Sequence, residues 1–209
     1  MTVARMPAAE RRAAVLECAC RLFSEGSYRG TTTAQIASEA GVTEPILYRH
    51  FESKRTLYLA CLEACWQRMR AVWEGRIASE PDPGLWIANM GRAFIESPEM
   101  KPVTSALWIQ ALAESRDDLE IRRFMKAHVR DVHGFAADVI RRAQAAGGMQ
   151  PDRDPDAEAW IFISLGLLAM ADTSVGNVMG DAWPAIRSSR REWLTGADGA
   201  KDKKSFRAR

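Results

Sequence analysis

The sequence lacks the features that identify several large classes of protein. Its four cysteines fall as two close pairs, Cys18 with Cys20 and Cys61 with Cys65, and no histidine stands at a metal-site spacing from them. No metal site is therefore expected. With no sign of secretion, the thiols are expected to stay reduced in a cytoplasmic protein.

Long hydrophobic runs are also missing. The N-terminus has no apolar segment of the length that a signal peptide needs, and charged residues begin at Arg5. The longest run without a charge, Ala159 to Ala171, is shorter than the roughly 20 residues of a membrane span. We therefore expect a cytoplasmic protein with no membrane partner.

Patterns typical of β-strands are absent as well. No segment convincingly alternates apolar and polar residues, whereas apolar residues recur at helical spacing along the chain. The sequence therefore predicts an all-α fold of about nine helices, which begin near residues 8, 32, 43, 53, 84, 101, 117, 155 and 183.

The formal net charge is only +2, but the charges are unevenly distributed. Residues 1–55 carry eight Lys and Arg against six Asp and Glu, residues 56–186 carry thirteen against eighteen, and residues 187–209 carry eight against three. An acidic middle between two basic ends suggests that only part of the surface meets an anionic partner.

Two short helices are predicted in the N-terminal third of the chain. Thr32 is a suitable N-cap, Gln35 completes a capping box, and Gly41 stands where a glycine ends a helix. Thr43 is the next candidate N-cap, followed by an acidic residue and a proline, both favoured in a first turn. Two short helices joined by such a turn are typical of the DNA-binding helix-turn-helix.

The side chains of these helices divide into an inner and an outer set. Ile36, Ala37, Leu47 and Phe51 are apolar at positions that can close the angle between the helices. The candidate DNA contacts are Thr32, Thr33, Thr43, Glu44, Pro45, Tyr48, Arg49, His50 and Lys54. The alternative is that these residues are only the solvated face of a helical hairpin.

The outer set suits the chemistry of a DNA groove. Hydroxyl groups and helix N-terminal amides bind phosphate oxygens, and Lys54 adds a positive charge. Arg49 would prefer guanine and Glu44 could accept a hydrogen bond from N4 of cytosine, so that the two could read a G·C pair.

The stretch from Arg11 to Ala60 resembles the N-terminal domain of the TetR family of regulators. The resemblance keeps one register over three helices and two turns, and it is carried by Val15-Leu16, Leu22-Phe23, Tyr28, Thr31-Thr32, Ile36-Ala37, Ala40-Gly41-Val42-Thr43, Leu47-Tyr48, His50-Phe51, Ser53-Lys54 and Leu57. It implies an all-α homodimer with a divergent effector domain, which usually represses transcription until a small molecule binds. It also implies that the shared DNA contacts are Thr43, Tyr48, His50 and Lys54, with Thr32 or Thr33.

The sequence departs from the family pattern at two places. In Glu25-Gly26-Ser27-Tyr28 the glycine does not immediately precede the aromatic residue, as it usually does in the family. The second short helix opens with Glu44-Pro45-Ile46, where the family more often has a basic or small residue, a glycine and a threonine or alanine. Ile46 could contact a thymine methyl group. The operator therefore cannot be copied from other members.

The chain beyond residue 60 contains no catalytic constellation, and neither an enzyme nor a cofactor is expected. It is rich in tryptophan and methionine, which suit a cavity for a small apolar or aromatic ligand but also fill ordinary cores. The candidate pocket residues are Trp66, Met69, Trp73, Trp86, Met90, Trp108, Met125, His128 and Trp160. His128 is either a satisfied core histidine or a polar anchor for the ligand.

Residues 157–175 are apolar on nearly every face of the predicted helix. Such a helix must be covered on both sides, which predicts a contact with a second copy of the chain. The candidate interface residues are Trp160, Ser164, Leu167, Leu168, Ala171 and Val175.

Cys61 and Cys65 stand four residues apart and so share a helical face. They could form a redox sensor or serve as small buried hydrophobes. The second interpretation is favoured, because a disulfide within an intact helix has poor geometry.

Together these features predict a sequence-specific transcription regulator. It would be a ligand-responsive repressor that binds a palindromic operator in double-stranded DNA as a homodimer. We expect the helix-turn-helix domain over residues 1–56, the effector-binding and dimerisation domain over 57–196, and a disordered basic tail over 197–209. The competing hypothesis is a helical ligand-binding protein or enzyme that uses the short helices only as a scaffold.

Overall fold

The computed structural model describes residues 7–98 and 100–196, and within them the chain forms nine α-helices, one short 3-10 helix and no β-strand. The helices are α1 (Ala8–Glu25), α2 (Thr33–Glu39), α3 (Glu44–His50), α4 (Lys54–Ser79), α5 (Trp86–Ile95), α6 (Met100–Glu114), α7 (Leu119–Ala145), α8 (Pro155–Ser174) and α9 (Ala182–Thr195). The predicted all-α fold is confirmed. The tail predicted over 197–209 lies outside the described residues.

Packing divides these residues into two compact units. The first contains residues 7–68 and 100–126, and the second contains residues 69–98 and 127–196. The divisions fall within α4 and within α7, so each of these helices contributes to both units. The first unit is larger than the expected 1–56 domain, because α6 packs against α1.

The core of the first unit forms around α1. Val15, Ala19 and Phe23 recur every four residues and are fully buried, as expected for the apolar stripe of an amphipathic helix. Phe23 meets the ring of Tyr58 on α4 edge to face, with centroids 5.2 Å apart, and the Tyr58 hydroxyl donates to the carbonyl of Leu107 on α6 at 2.8 Å. Helices α2 and α3 both pack against α1, which gives these short helices the support they lack alone.

In the second unit, α9 is fastened to α8 through two buried carboxylates. Trp193 donates its indole N–H to Glu158 at 2.8 Å, and Trp183 donates to Asp172 at 3.0 Å. Arg190 also pairs with Glu158, which is buried. Because a buried charge is costly unless it is paired, these contacts fix the register of α9 along α8.

Candidate nucleic-acid interface

The hairpin of α2 and α3 begins with a complete capping box. The Thr32 hydroxyl accepts the backbone N–H of Gln35 at 3.2 Å, and the Gln35 side chain accepts the backbone N–H of Thr32 at 2.8 Å. Two N–H groups at the helix start are thereby satisfied, which stabilises a helix of only seven residues. The box predicted from the sequence is confirmed.

The turn between the two helices requires glycine at one position. Gly41 has a φ of +65°, in the left-handed region where a side chain is strained. The backbone N–H of Val42 donates to the carbonyl of Ala37 at 2.9 Å, which ends α2. Thr43 then occupies the N-cap position of α3, as predicted, but its side chain makes no capping hydrogen bond.

Four apolar side chains close the angle between the helices, as the sequence predicts. Ile36, Ala37, Leu47 and Phe51 are all at most 2% exposed. Arg12 of α1 lies over the ring of Phe51, with its guanidinium carbon 4.7 Å from the ring centre. The hairpin is thus packed on its inner side and leaves its other side to solvent.

Most of the predicted DNA contacts lie on that open side. Tyr48 is 45% exposed, and Arg49 beside it is also exposed. The exposed members of the predicted set are Thr32, Thr43, Pro45, Tyr48 and Arg49, and the half-buried members are Glu44, His50 and Lys54.

Thr33 departs from the prediction, because it is buried instead of facing outward. Its hydroxyl donates to the carboxylate of Glu44 at 2.6 Å and lies 3.0 Å from the hydroxyl of Tyr48. The outward orientation expected for Thr33 is therefore wrong. A buried polar side chain needs a partner, and Thr33 finds it inside the hairpin.

The ammonium group of Lys54 lies against the loop between α1 and α2. Its Nζ donates to the carbonyl of Arg29 at 3.2 Å and stands 5.0 Å from the ring centre of Tyr28. Burial lowers the pKa of Lys54. Lys54 thus supports this loop. In a contact with DNA, a phosphate oxygen would replace the carbonyl oxygen of Arg29 as the partner of its ammonium group.

Two arginines beside the hairpin are held by an acidic segment at the junction of α6 and α7. We define this acidic segment as Glu114, Asp117, Asp118 and Glu120. Arg29 pairs with the first two residues at 3.0 and 2.9 Å, and Arg55 pairs with the last two at 2.7 and 2.6 Å. Sequence reasoning missed these pairs. The cluster of acidic residues in the sequence indicates that basic partners exist, but it does not identify which distant arginines they are.

The nine predicted pocket residues are divided between the two units. Trp66, Trp108 and Met125 belong to the first unit, and the other six belong to the second. All are buried except Trp86, which is half-buried, and Trp160, which is 49% exposed. Trp160 is therefore not a buried pocket residue, because it lies on the outer face of α8.

Within the second unit, Trp73 lies in a cluster of aromatic rings. Its ring stacks on that of Phe135 with centroids 5.9 Å apart and meets that of Phe162 edge to face at 5.5 Å. Arg70 stands over the ring of Phe135, 5.3 Å from its centre. Ring faces of this kind attract both apolar groups and cations.

The outer face of α8 and its C-cap form an exposed apolar stripe. Trp160, Leu168 and Val175 are 49%, 41% and 64% exposed, at the seven- to eight-residue spacing of one helical face. Of the predicted interface residues, Leu167 is half-buried and five are exposed, namely Trp160, Ser164, Leu168, Ala171 and Val175. By length and composition alone α8 could also cross a membrane, a test that core helices of soluble proteins pass as well.

Cys20 of α1 joins Cys61 and Cys65 of α4 in one buried cluster of free thiols. The hydrogen bond with Cys61, together with burial, raises the pKa of Cys20 to about 12. The hydrogen bond with Cys20, together with burial, raises the pKa of Cys65. A raised pKa suppresses the reactive thiolate, which favours buried hydrophobes over a redox sensor.

Two family models match the chain. The model for bacterial regulatory proteins of the tetR family matches residues 15–61, which contain α2 and α3. The model for the C-terminal part of BetI-type transcriptional repressors matches residues 83–172. Both models describe transcription regulators, a class distinct from enzymes.

Individual relatives are also transcription regulators. The HTH-type transcriptional activator FasR of Mycolicibacterium smegmatis is 44% identical over 59 residues, which are 28% of this chain and 27% of that protein. The HTH-type transcriptional regulator BetI of Rhizobium meliloti is 23% identical over 120 residues, which are 57% of this chain and 59% of that protein. The chain thus matches less than two thirds of the length of either relative.

The fold is shared with a solved transcriptional regulator from Saccharomonospora viridis in complex with choline. The two have a TM-score of 0.71 at 22% identity, and the match covers 87% of this chain and 93% of that one.

Proposed function

The chain belongs to the tetR family of bacterial regulatory proteins, and on this premise we propose that it is a sequence-specific, DNA-binding transcription regulator. The outer face of α3 carries the proposal. Tyr48 and Arg49 stand exposed on a short helix whose opposite side, at Leu47, is fully buried. A helix held in this way can enter a major groove, where side chains reach base edges.

The regulator would bind its operator as a homodimer. The exposed apolar stripe of α8 supports a contact with a second copy, since apolar surface of this kind is normally covered. A two-fold axis would set two α3 helices about 34–36 Å apart and so require a palindromic operator.

We propose that the protein represses transcription in the cytoplasm until a small apolar or aromatic effector binds. The aromatic cluster of Trp73, Phe135 and Phe162 supports this class of ligand. The choline complex of the S. viridis regulator favours a second class, quaternary ammonium ions, because aromatic faces also bind these cations.

Effector binding would act as a population shift between two states of the regulator. Since α4 contributes to both compact units, a state with α4 displaced would change the spacing of the two α3 helices. The ligand would favour that state only by its difference in affinity for the two.

The central experiment measures binding of the full chain to duplex DNA that flanks its own gene. Fluorescence anisotropy should show binding at least about a thousandfold tighter than to a random duplex of equal length, with a steep loss as salt rises. Equal affinity for both duplexes would contradict the proposal and favour a helical ligand-binding protein without a DNA function.

The effector and the direction of regulation need separate measurements. Choline chloride, compared with sodium chloride at equal ionic strength, tests the quaternary ammonium class through release of the operator. Native mass spectrometry of the purified protein tests for a retained apolar ligand. A reporter gene behind the operator distinguishes repression from activation, which is the role that the name of the FasR relative states.

A further inference from the structure

The carboxylate of Glu44, the first residue of α3, is directed toward α2. Thr33, the first residue of α2, donates its hydroxyl proton to Glu44 Oε1 at 2.6 Å. The Tyr48 hydroxyl lies 3.0 Å from the same Thr33 oxygen. These three side chains, which we call the relay, join the first turn of α2 to two successive turns of α3.

The direction of hydrogen bonding within the relay follows from the groups themselves. An ionised carboxylate can only accept, and a threonine hydroxyl has one proton to donate. Because Thr33 gives that proton to Glu44, Tyr48 must donate its own proton to Thr33. The relay therefore runs one way, from Tyr48 through Thr33 to Glu44.

The centre of the relay is sheltered while its far end is open. Thr33 is 8% exposed, whereas Tyr48 is 45% exposed and lies on the face proposed for DNA. Loss of the carboxylate would deprive the buried hydroxyl of its charged acceptor and leave only the Tyr48 oxygen to receive its proton. It would also weaken the hold on the Tyr48 ring, since Thr33 connects the two.

We propose that Glu44 is a positioning residue of the DNA interface, which fixes Tyr48 through Thr33 and reads no base. The proposal rests on the DNA-binding function proposed above. It replaces the sequence-based expectation that Glu44 accepts a hydrogen bond from cytosine, because the orientation of the carboxylate is set by α2.

The test compares variants of the full chain on the operator and on its single-base-pair variants by fluorescence anisotropy. Glu44→Ala removes the acceptor, and Thr33→Val removes the hydroxyl while keeping the side-chain shape. Each should weaken operator binding about 10-fold, and the double variant should be no weaker than either single variant. The preferred base pair at each position should stay that of the wild type.

Conservative variants separate positioning from a general loss of structure. Glu44→Gln keeps an acceptor oxygen and Thr33→Ser keeps the hydroxyl, so both should recover most of the lost affinity. Glu52→Gln removes an exposed carboxylate just after α3 and is the matched control for the loss of charge near phosphates. Any increase in affinity for random duplex should be similar in Glu44→Gln and Glu52→Gln.

Two results would overturn the proposal. One is a change of preference in Glu44→Gln that is confined to a single base pair, because it would identify Glu44 as a base reader. The other is additive loss in Glu44→Ala and Thr33→Val. If the wild type itself does not prefer its operator to random duplex, the DNA-binding function fails instead. The same double-mutant cycle in thermal unfolding of the free protein then measures the coupling of Thr33 to Glu44.

Discussion

The hairpin of α2 and α3 and the outer face of α8 are both open to solvent, but they suit opposite kinds of partner. The hairpin exposes hydroxyl groups, a phenol and a guanidinium on two seven-residue helices, whereas α8 has twenty residues and exposes Trp160 and Leu168. Contacts with phosphate weaken as the salt concentration rises. The free energy gained by burying apolar surface instead grows with the area that is buried. The two proposed interactions, with DNA and with a second copy of the chain, therefore use surfaces that can be perturbed separately.

The largest expected effect comes from a charge within the apolar stripe. Leu168→Asp should convert dimers to monomers in sedimentation, because the charge would be buried unpaired between two copies. Operator affinity should fall by about 100-fold or more, since a monomer loses the second half-site contact. Ala169, although adjacent, is 2% exposed and unsuitable, because a charge there would disturb the fold itself.

Leu112→Asp is the matched control for Leu168→Asp. Leu112 is exposed to a similar extent, at 39%, but lies on α6, a helix of the first unit, whereas the stripe lies on α8 of the second. This variant should remain dimeric and keep its operator affinity. If Leu168→Asp also remains dimeric, the subunit contact lies elsewhere.

The second effect sharpens the contrast between the two faces of α8. Asp172→Ala should lower the free energy of unfolding by about 2–4 kcal/mol in urea titrations, because it removes the acceptor of the buried Trp183 indole. Asp138→Ala removes an exposed carboxylate that pairs with Arg142 on α7. This control should change the free energy of unfolding by less than about 0.5 kcal/mol. Equal losses would show that the buried contact does not fasten α9.

The third-largest effect comes from removing a side chain of α3 that is proposed to contact a base, a change that leaves α8 as it is. Arg49→Ala should cost about 1–3 kcal/mol of operator affinity and relax the preference at one base pair. Arg123→Ala, an equal charge change at an exposed position of α7, should leave that preference as it is. A uniform loss on every sequence would show that Arg49 contacts phosphate only.

The smallest effect concerns the thiol cluster of the unit that carries the hairpin. With a pKa raised to about 12, only about one Cys20 in ten thousand is a thiolate at pH 8. Iodoacetamide labelling followed by mass spectrometry should therefore modify the half-buried Cys18 before Cys20 and Cys65. Labelling of Cys20 should accelerate as the pH rises within the range in which the protein stays folded. Rapid labelling of Cys65 with loss of operator binding would restore the redox interpretation.

Local sequence rules predicted the helices and the hairpin well. The capping box at Thr32 and the glycine at position 41 are set by residues within a few positions of each other, and the structure confirms both. The apolar contacts of Ile36 and Leu47 follow from helical periodicity. For the same reason the starts of α1 and α4 were predicted within a residue.

The same rules failed where the exposure of a side chain depends on how its helix packs against another helix. Thr33 was expected to face outward, but the first residue of a short helix has an orientation that its partner helix determines, and Glu44 supplies the contact. Trp160 fitted both a pocket and an interface by composition, and only the packing of α8 identifies its outer position. The pairs of Arg29 and Arg55 connect distant segments, which periodicity does not report.

The ion pairs of those two arginines affect how such a regulator would search a genome. An arginine already held by carboxylates displaces fewer salt ions from a random duplex than a free one does. In the proposed DNA-binding regulator the acidic segment would compete with the DNA backbone for Arg29 and Arg55 and so lower the affinity for unrelated sequence. Random sites vastly outnumber operators. A lower affinity for them would shorten the residence time at each one, and the protein would reach its operator sooner.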